Sequence, residues 1–179
     1  IEQIRTKMLP RRGIVAAPDQ ILITLGAQNA LWLTTQVLLT QRRRAALEDP
    51  CYHALRDILS QSRCHVTPVR VDADGLPPDA IPPQTDVIFT TPSHQCPTTA
   101  TMPMNRRHAL LERAAEMDAL IVEDDYEFEM SFVTPPSPAL KSLDREGRVI
   151  HVGSFSKSLF PGLRLGYLVG PTACIRDAR

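Results

Sequence analysis

One lysine in this sequence has a setting suited to chemistry. Lys157 lies four residues past an apolar run, Val149 to Gly153, and between two serines, Ser156 and Ser158. Arg164 follows seven residues later, just before a second apolar run. A lysine held in a drier pocket beside other cations gives up its proton more readily and becomes a nucleophilic amine. Ser154, Ser156 and Arg164 are suitable donors to a phosphate. Gly26-Ala27 opens a helix-like segment and can add backbone N–H groups, which favour an anion. Asp124 or Asp125 could pair with a cationic ring nitrogen. Tyr52 could stack on a flat ring, and Tyr126 could donate to a phenolic oxygen. An amine nucleophile, a phosphate cradle, a carboxylate and a stacking aromatic together describe a pyridoxal phosphate site. Each residue alone has an ordinary alternative. Lys157 and Arg164 could be solvated surface charges, Gly26 a tight turn and Tyr52 part of a core. Asp124-Asp125 could be an exposed acidic turn, a helix cap or, with Glu123, a magnesium site.

These residues need a scaffold that brings them to one place. Strand-like and helix-like segments alternate along the chain. Strands are expected at Ile21–Thr24, Ala45–Leu47, His65–Val71, Val87–Thr91, Ala119–Val122, Val149–Gly153 and Leu165–Val169. Helical periodicity marks Ala27–Leu39, Tyr52–Leu59 and Asn105–Met117. The pattern predicts an α/β fold, a mainly parallel seven-stranded sheet with helices on both faces. In such sheets ligands bind beyond the carboxyl ends of the strands. The candidate residues all follow predicted strands, so they converge on one edge. Proline clusters at Leu76–Pro83 and Thr134–Pro138 are expected to form rigid surface loops.

Composition bounds the remaining classes. With 179 residues, the chain suffices for one sizeable domain. Lys plus Arg and Asp plus Glu both number 20, and this zero net charge argues against a nucleic-acid-binding module. Hydrophobic residues at 43% and charged residues at 22% exclude intrinsic disorder. No membrane span or signal peptide is expected. Cys51, Cys64, Cys96 and Cys174 form no Cys-x-x-Cys pair, so free thiols in a reducing cytoplasm are expected. Zinc held by Cys51, His53, Cys64 and His65 is an alternative, but the spacing matches no common finger or ribbon. Ile1, Ile4 and Met8 read as one face of a helix, and Thr172–Arg179 as the first turns of another. The expectation is a domain truncated at both ends.

The sequence resembles the large domain of fold-type I pyridoxal-phosphate aminotransferases, across essentially its whole length. It looks most like the aminotransferase-like domain of MocR/GabR-type transcription regulators of the GntR family. The resemblance rests on Ile23-Thr24-Leu25-Gly26-Ala27-Gln28-Asn29-Ala30-Leu31, Glu48-Asp49-Pro50-Cys51-Tyr52, Thr91-Pro92-Ser93-His94-Gln95 with Pro97, Glu123-Asp124-Asp125-Tyr126, and Ser154-Phe155-Ser156-Lys157 to Arg164. The Thr-Pro-Ser-His-Gln and Glu-Asp-Asp-Tyr stretches favour the regulators over ordinary aminotransferases.

The resemblance implies a role for each position. Lys157 matches the lysine that holds the cofactor as an aldimine and serves as the base in transamination. Asp124, two residues before Tyr126, matches the partner of the pyridine nitrogen. Tyr126 matches the tyrosine bonded to the ring oxygen, and Tyr52 the stacking aromatic. Arg164, Ser154, Ser156 and the Gly26-Ala27-Gln28 backbone match the phosphate binders. The implied whole is one large domain over residues 1–179 in a cytoplasmic homodimer, sensing an amino acid or amine. DNA would be contacted only through a winged-helix domain outside this chain. A C-terminal small domain, which supplies the arginine for the substrate carboxylate in the family, also lies outside it. Two other readings remain: a free-standing aminotransferase, and a degenerate scaffold that binds nothing. Three departures stand out. Cys51 replaces a usual glycine, and Cys96 stands where many aminotransferases have an asparagine. Thr99 stands where a Pro-Thr-Gly turn is common, so a distorted turn is expected there.

Overall fold

The computed structural model describes residues 1–126 and 137–179. Apolar runs bounded by turn residues form β1 (Ile21–Thr24), β2 (Arg44–Asp49), β3 (His65–Arg70), β4 (Val87–Thr90), β5 (Leu120–Asp125), β6 (Val149–Ser154) and β7 (Gly166–Val169). They make one seven-stranded sheet in the order β1-β7-β6-β5-β4-β2-β3. The pairs β3–β2, β2–β4, β4–β5 and β5–β6 are parallel. β7 runs antiparallel to both β6 and β1, as the single reversed strand. The expected mainly parallel α/β sheet is therefore present. Pro68 is accommodated because β3 is an edge strand, where a missing backbone donor matters least.

The helices are α1 (Ala27–Leu38), α2 (His53–Gln61), α3 (Met104–Glu116), α4 (Leu140–Leu143) and α5 (Thr172–Asp177). Strand alternation sends neighbouring side chains into different cores. On the front face Leu47, Phe89, Val122, Ile150 and Val152 meet Leu31 of α1, Leu59 of α2 and Ile175 of α5. On the rear face Ala46, Ile88, Ile121 and Val149 meet Leu110 and Ala114 of α3 and Leu140 of α4. The first residues wind through a π-helical turn, Ile4–Met8, and a 3₁₀ turn, Leu9–Arg12. They bury Ile4 and Leu9 with Ile21, Tyr167 and Val169, whereas Ile1 stays exposed.

Two expectations need correction. β5 does not stop at Val122. It continues through Glu123, Asp124 and Asp125, which pair with His151, Val152 and Gly153 of β6. Aspartate is a poor strand former, but these carboxylates are buried; β4 pairs as far as Glu123 and β6 carries the strand on through Asp124 and Asp125. The segment after β3 is also not purely superficial. Leu76 and Ile81 turn into the rear core and Pro78 is buried. Of the second proline cluster, Thr134–Pro136 lies outside the described residues.

Candidate functional site

The site forms where the front face meets the carboxyl ends of the strands. A cavity of about 390 Å³ is lined by Ala27, Gln28, Tyr52, Cys96, Asp124, Tyr126, Ser154, Ser156, Lys157 and Arg164. All the candidates except Gly26 line it, although they are scattered between positions 27 and 164. Gly26 lies just behind the wall. A second hollow, of about 460 Å³, lies between α3 and segment 142–148 and holds none of them. Among the described residues no helix is long and apolar enough to span a membrane. Among them, too, no group of three or more His, Cys, Asp or Glu is placed to hold a metal ion.

Each side chain has a local reason for its place. Gly26 caps α1 with φ +85°, a conformation that favours glycine. A Cβ built there would lie 3.2 Å from the Arg164 guanidinium, so the missing side chain makes room for that charge. Arg164 has φ +47° and donates to the Leu25 carbonyl at 3.4 Å. The lysine loop is closed by Phe155 N–H donating to Leu165 O and Leu159 N–H to Phe155 O, both at 3.0 Å. Within it the Ser156 N–H donates to Ser154 Oγ at 3.1 Å. Tyr52 precedes α2 and its carbonyl accepts from Leu55 and Arg56 at 3.1 and 3.3 Å. Tyr126 meets the His94 ring edge-on at 6.2 Å.

The pleat turns Asp124 and Asp125 to opposite faces of the sheet. Asp125 points to the rear, where Arg12 Nε donates to it at 2.6 Å in a pair with almost no solvent access. Arg12 also donates to Ser93 Oγ at 2.7 Å and to the Ser137 carbonyl. Glu123, on the same rear side, accepts from the Leu140 and Lys141 amides at 2.7 and 3.0 Å and lies 3.1 Å from His151 Nδ1. Burial works against the Glu123 anion. Even so, His151 and the two amides hold its carboxyl below the ordinary value. Asp124 points the other way, into the cavity wall, and among the described residues its buried Oδ1 has no hydrogen-bond partner, as is also true of Asp125 Oδ1 on the rear. Burial, reinforced by the charge of Asp125, pushes the Asp124 carboxyl up to about 7.

Three features were not readable as site features in the sequence. Glu48 and Gln95 were visible only as members of post-strand segments. The structure buries both and bonds them to each other at 3.0 Å. Arg12 could have been noticed as a charge between Leu9 and Ile14, but its partner lies 113 residues away. The Thr99 turn is strained at its backbone, as expected, yet its hydrogen bonds close. Gln95 N–H donates to Ala100 O at 2.8 Å and Thr99 N–H to Gln95 O at 2.7 Å. The turn closes because Thr99 itself takes φ +66°, in the left-handed region.

With this geometry in view, comparison with known proteins is decisive. The aminotransferase class I and II family pattern matches residues 2–179. The chain belongs to that family. It is 55% identical over 179 residues to the HTH-type transcriptional regulator TauR of Rhodobacter capsulatus, covering 100% of this chain and 37% of that protein. It is 38% identical to the probable rhizopine catabolism regulatory protein MocR of Rhizobium meliloti, covering 89% of this chain and 33% of that protein. Among solved structures, the kynurenine aminotransferase of Pyrococcus horikoshii superposes with a TM-score of 0.92 at 34% identity, covering 99% of this chain and 46% of that one. The chain is thus an aminotransferase-like domain homologous to MocR-type regulators. It spans about a third of the length of those regulators.

Proposed function

We propose that this domain binds pyridoxal 5'-phosphate and serves as the effector-sensing part of a MocR-type transcription regulator. The observation that carries the cofactor reading is the unpartnered, buried Oδ1 of Asp124 in a cavity that also presents an amine, an arginine and two serines. A lone buried carboxylate is costly unless a cation meets it. A protonated pyridine nitrogen supplies that cation, and the phosphate suits Arg164, Ser154, Ser156 and the amides of Ala27 and Gln28. The residues present therefore fit the group.

In this reading Lys157 Nζ is the covalent attachment point. Tyr52 covers one face of the ring, and Tyr126 donates to its phenolic oxygen. Asp124 keeps the ring nitrogen protonated. When bound, the cofactor supplies an electron sink for chemistry at an amino carbon. The ligand sensed is an amino acid or amine, whose nitrogen competes with Lys157 Nζ. The regulator names of TauR and MocR support a DNA-binding partner domain outside this chain. A homodimer and a cytoplasmic location go with the same reading.

A second reading is a free-standing aminotransferase. It is favoured by 31% identity to aromatic-amino-acid aminotransferase 1 of Thermococcus litoralis over 94% of this chain. In that case Lys157 Nζ also moves the proton at the substrate α-carbon. The test is to mix the purified protein with pyridoxal phosphate, record the visible spectrum, reduce with borohydride and map the label. A yellow band with label on Lys157, both lost in Lys157→Ala, is expected. A protein that folds yet stays colourless overturns the cofactor reading. Sustained transamination over many turnovers would replace the regulator reading with the enzyme.

A further inference from the structure

Two buried residues outside the cavity connect the loops that form one of its walls. Glu48, next to last in β2, has a carboxylate that is 2% exposed, although no arginine or lysine pairs with it among the described residues. Four donors satisfy it instead. Oε1 accepts from Thr90 Oγ1 at 2.6 Å and Thr91 N at 3.0 Å. Oε2 accepts from Thr91 Oγ1 at 2.6 Å and Gln95 Nε2 at 3.0 Å. The Gln95 amide is used in full. Nε2 also lies 2.8 Å from the Pro50 carbonyl and 2.9 Å from the Cys96 carbonyl, so its two N–H hydrogens are shared among three acceptors. Its Oε1 accepts from Thr98 N and Thr98 Oγ1 at 2.9 and 2.6 Å.

The two carbonyls that Gln95 grips belong to two different loops. Pro50 leads into Tyr52, two residues on, and Cys96 itself lines the cavity. We infer that Glu48 and Gln95 are positioning residues: a buried joint that fixes the Tyr52 loop against the Cys96 loop, so that the Tyr52 ring is in place before a flat ligand arrives. The inference rests on the cofactor reading above and deepens it. Loops are the mobile parts of a fold, and a stacking ring that must be ordered on binding weakens affinity. A carboxylate holds this joint better than an amide would. All four of its contacts are donors, so a side chain that accepts everywhere leaves none in conflict. The loop is also held by Val71 N–H donating to Asp49 O at 3.0 Å, by the α2 amides on the Tyr52 carbonyl, and at the surface by Arg56 donating to Asp49 at 2.8 Å. Of these ties, the Glu48–Gln95 joint is the one that links this loop to the Cys96 loop.

The test is a double-mutant cycle on the full protein with pyridoxal phosphate as the probe. Glu48→Gln keeps the shape but turns an amide NH2 toward Gln95 Nε2 and Thr91 Oγ1; the hydroxyl can reverse to accept, whereas the contact with the Gln95 amide is lost. The substitution is expected to weaken pyridoxal phosphate binding about tenfold, and less than about twofold when Tyr52 is already leucine. The fall in melting temperature is expected to be the same in both backgrounds. In the ligand-free protein, amide exchange at residues 51–53 and 96–98 is expected to speed up while α2 stays protected. Thr90→Val removes one donor only and gives a smaller version of the same pattern where Glu48→Gln folds poorly. Equal losses of affinity in the two Tyr52 backgrounds would show that Glu48 does not act through the ring, and overturn the inference alone. Unchanged exchange in the two loops overturns it whatever the cofactor does. A wild-type protein that binds no pyridoxal phosphate overturns the cofactor reading itself.

Discussion

The front and rear faces of β5 at its carboxyl end treat consecutive carboxylates in opposite ways. Toward the rear, Glu123 and Asp125 meet amides, an imidazole and a guanidinium that never reach solvent. Toward the front, Asp124 is also buried and has an oxygen that no described residue satisfies. Each rear carboxylate is tied to a partner within the fold, although Asp125 Oδ1 and His151 Nε2 are left over, whereas Asp124 has no hydrogen bond among the described residues. One residue step along a pleated strand is enough to separate architecture from function.

The sharpest way to break the comparison is on the rear. Arg12→Met removes the partner of a buried carboxylate, which is expected to cost about 3–5 kcal/mol. Urea denaturation measures this, and a loss below about 1 kcal/mol would show that Asp125 is held by other means. On the front the sign reverses. Asp124 in the folded chain keeps its proton up to about 7, against an ordinary value of 3.8. Between those values the native state binds more protons than the unfolded one, so its stability falls as pH rises through the window. Asp124→Asn removes this penalty. It is expected to stabilise the ligand-free protein at pH 8 by up to about 4 kcal/mol and to flatten its stability profile between pH 4 and 7. The same change is expected to weaken pyridoxal phosphate binding at least about a hundredfold, roughly the value of one buried charge pair. Glu123 follows the other rule: its lowered carboxyl contributes stability above its ordinary 4.5 that is lost as pH falls. The smallest effect lies at the edge of the site. Thr99→Gly relieves a left-handed threonine and is expected to raise stability by about 1 kcal/mol, visible as a small rise in melting temperature.

The same contrast governs what could be read from the sequence. The strands were legible because Val87–Phe89 and Val149–Ile150 are apolar runs between turn signals, and runs of that kind carry their own instruction. The cavity residues were legible because each follows such a run, and because a lysine between serines is a chemical as well as a structural statement. Asp124 could not be separated from Asp125 by residue type. The separation needed the knowledge that the strand continues, since only in a strand do neighbours point to opposite faces. The Arg12–Asp125 pair and the Glu48–Gln95 joint were illegible for a different reason. Their partners are 113 and 47 residues apart, and nothing local distinguishes a buried charge from a solvated one.

The reversed strand β7 brings Tyr167 opposite Gly153 in β6. A Cβ placed on Gly153 would lie 2.1 Å from the tyrosine ring, deep inside overlap. This couples the histories of the two positions. A side chain at 153 requires the Tyr167 ring to move aside or become smaller. The pair makes position 153, beside the lysine loop, depend on what stands at 167.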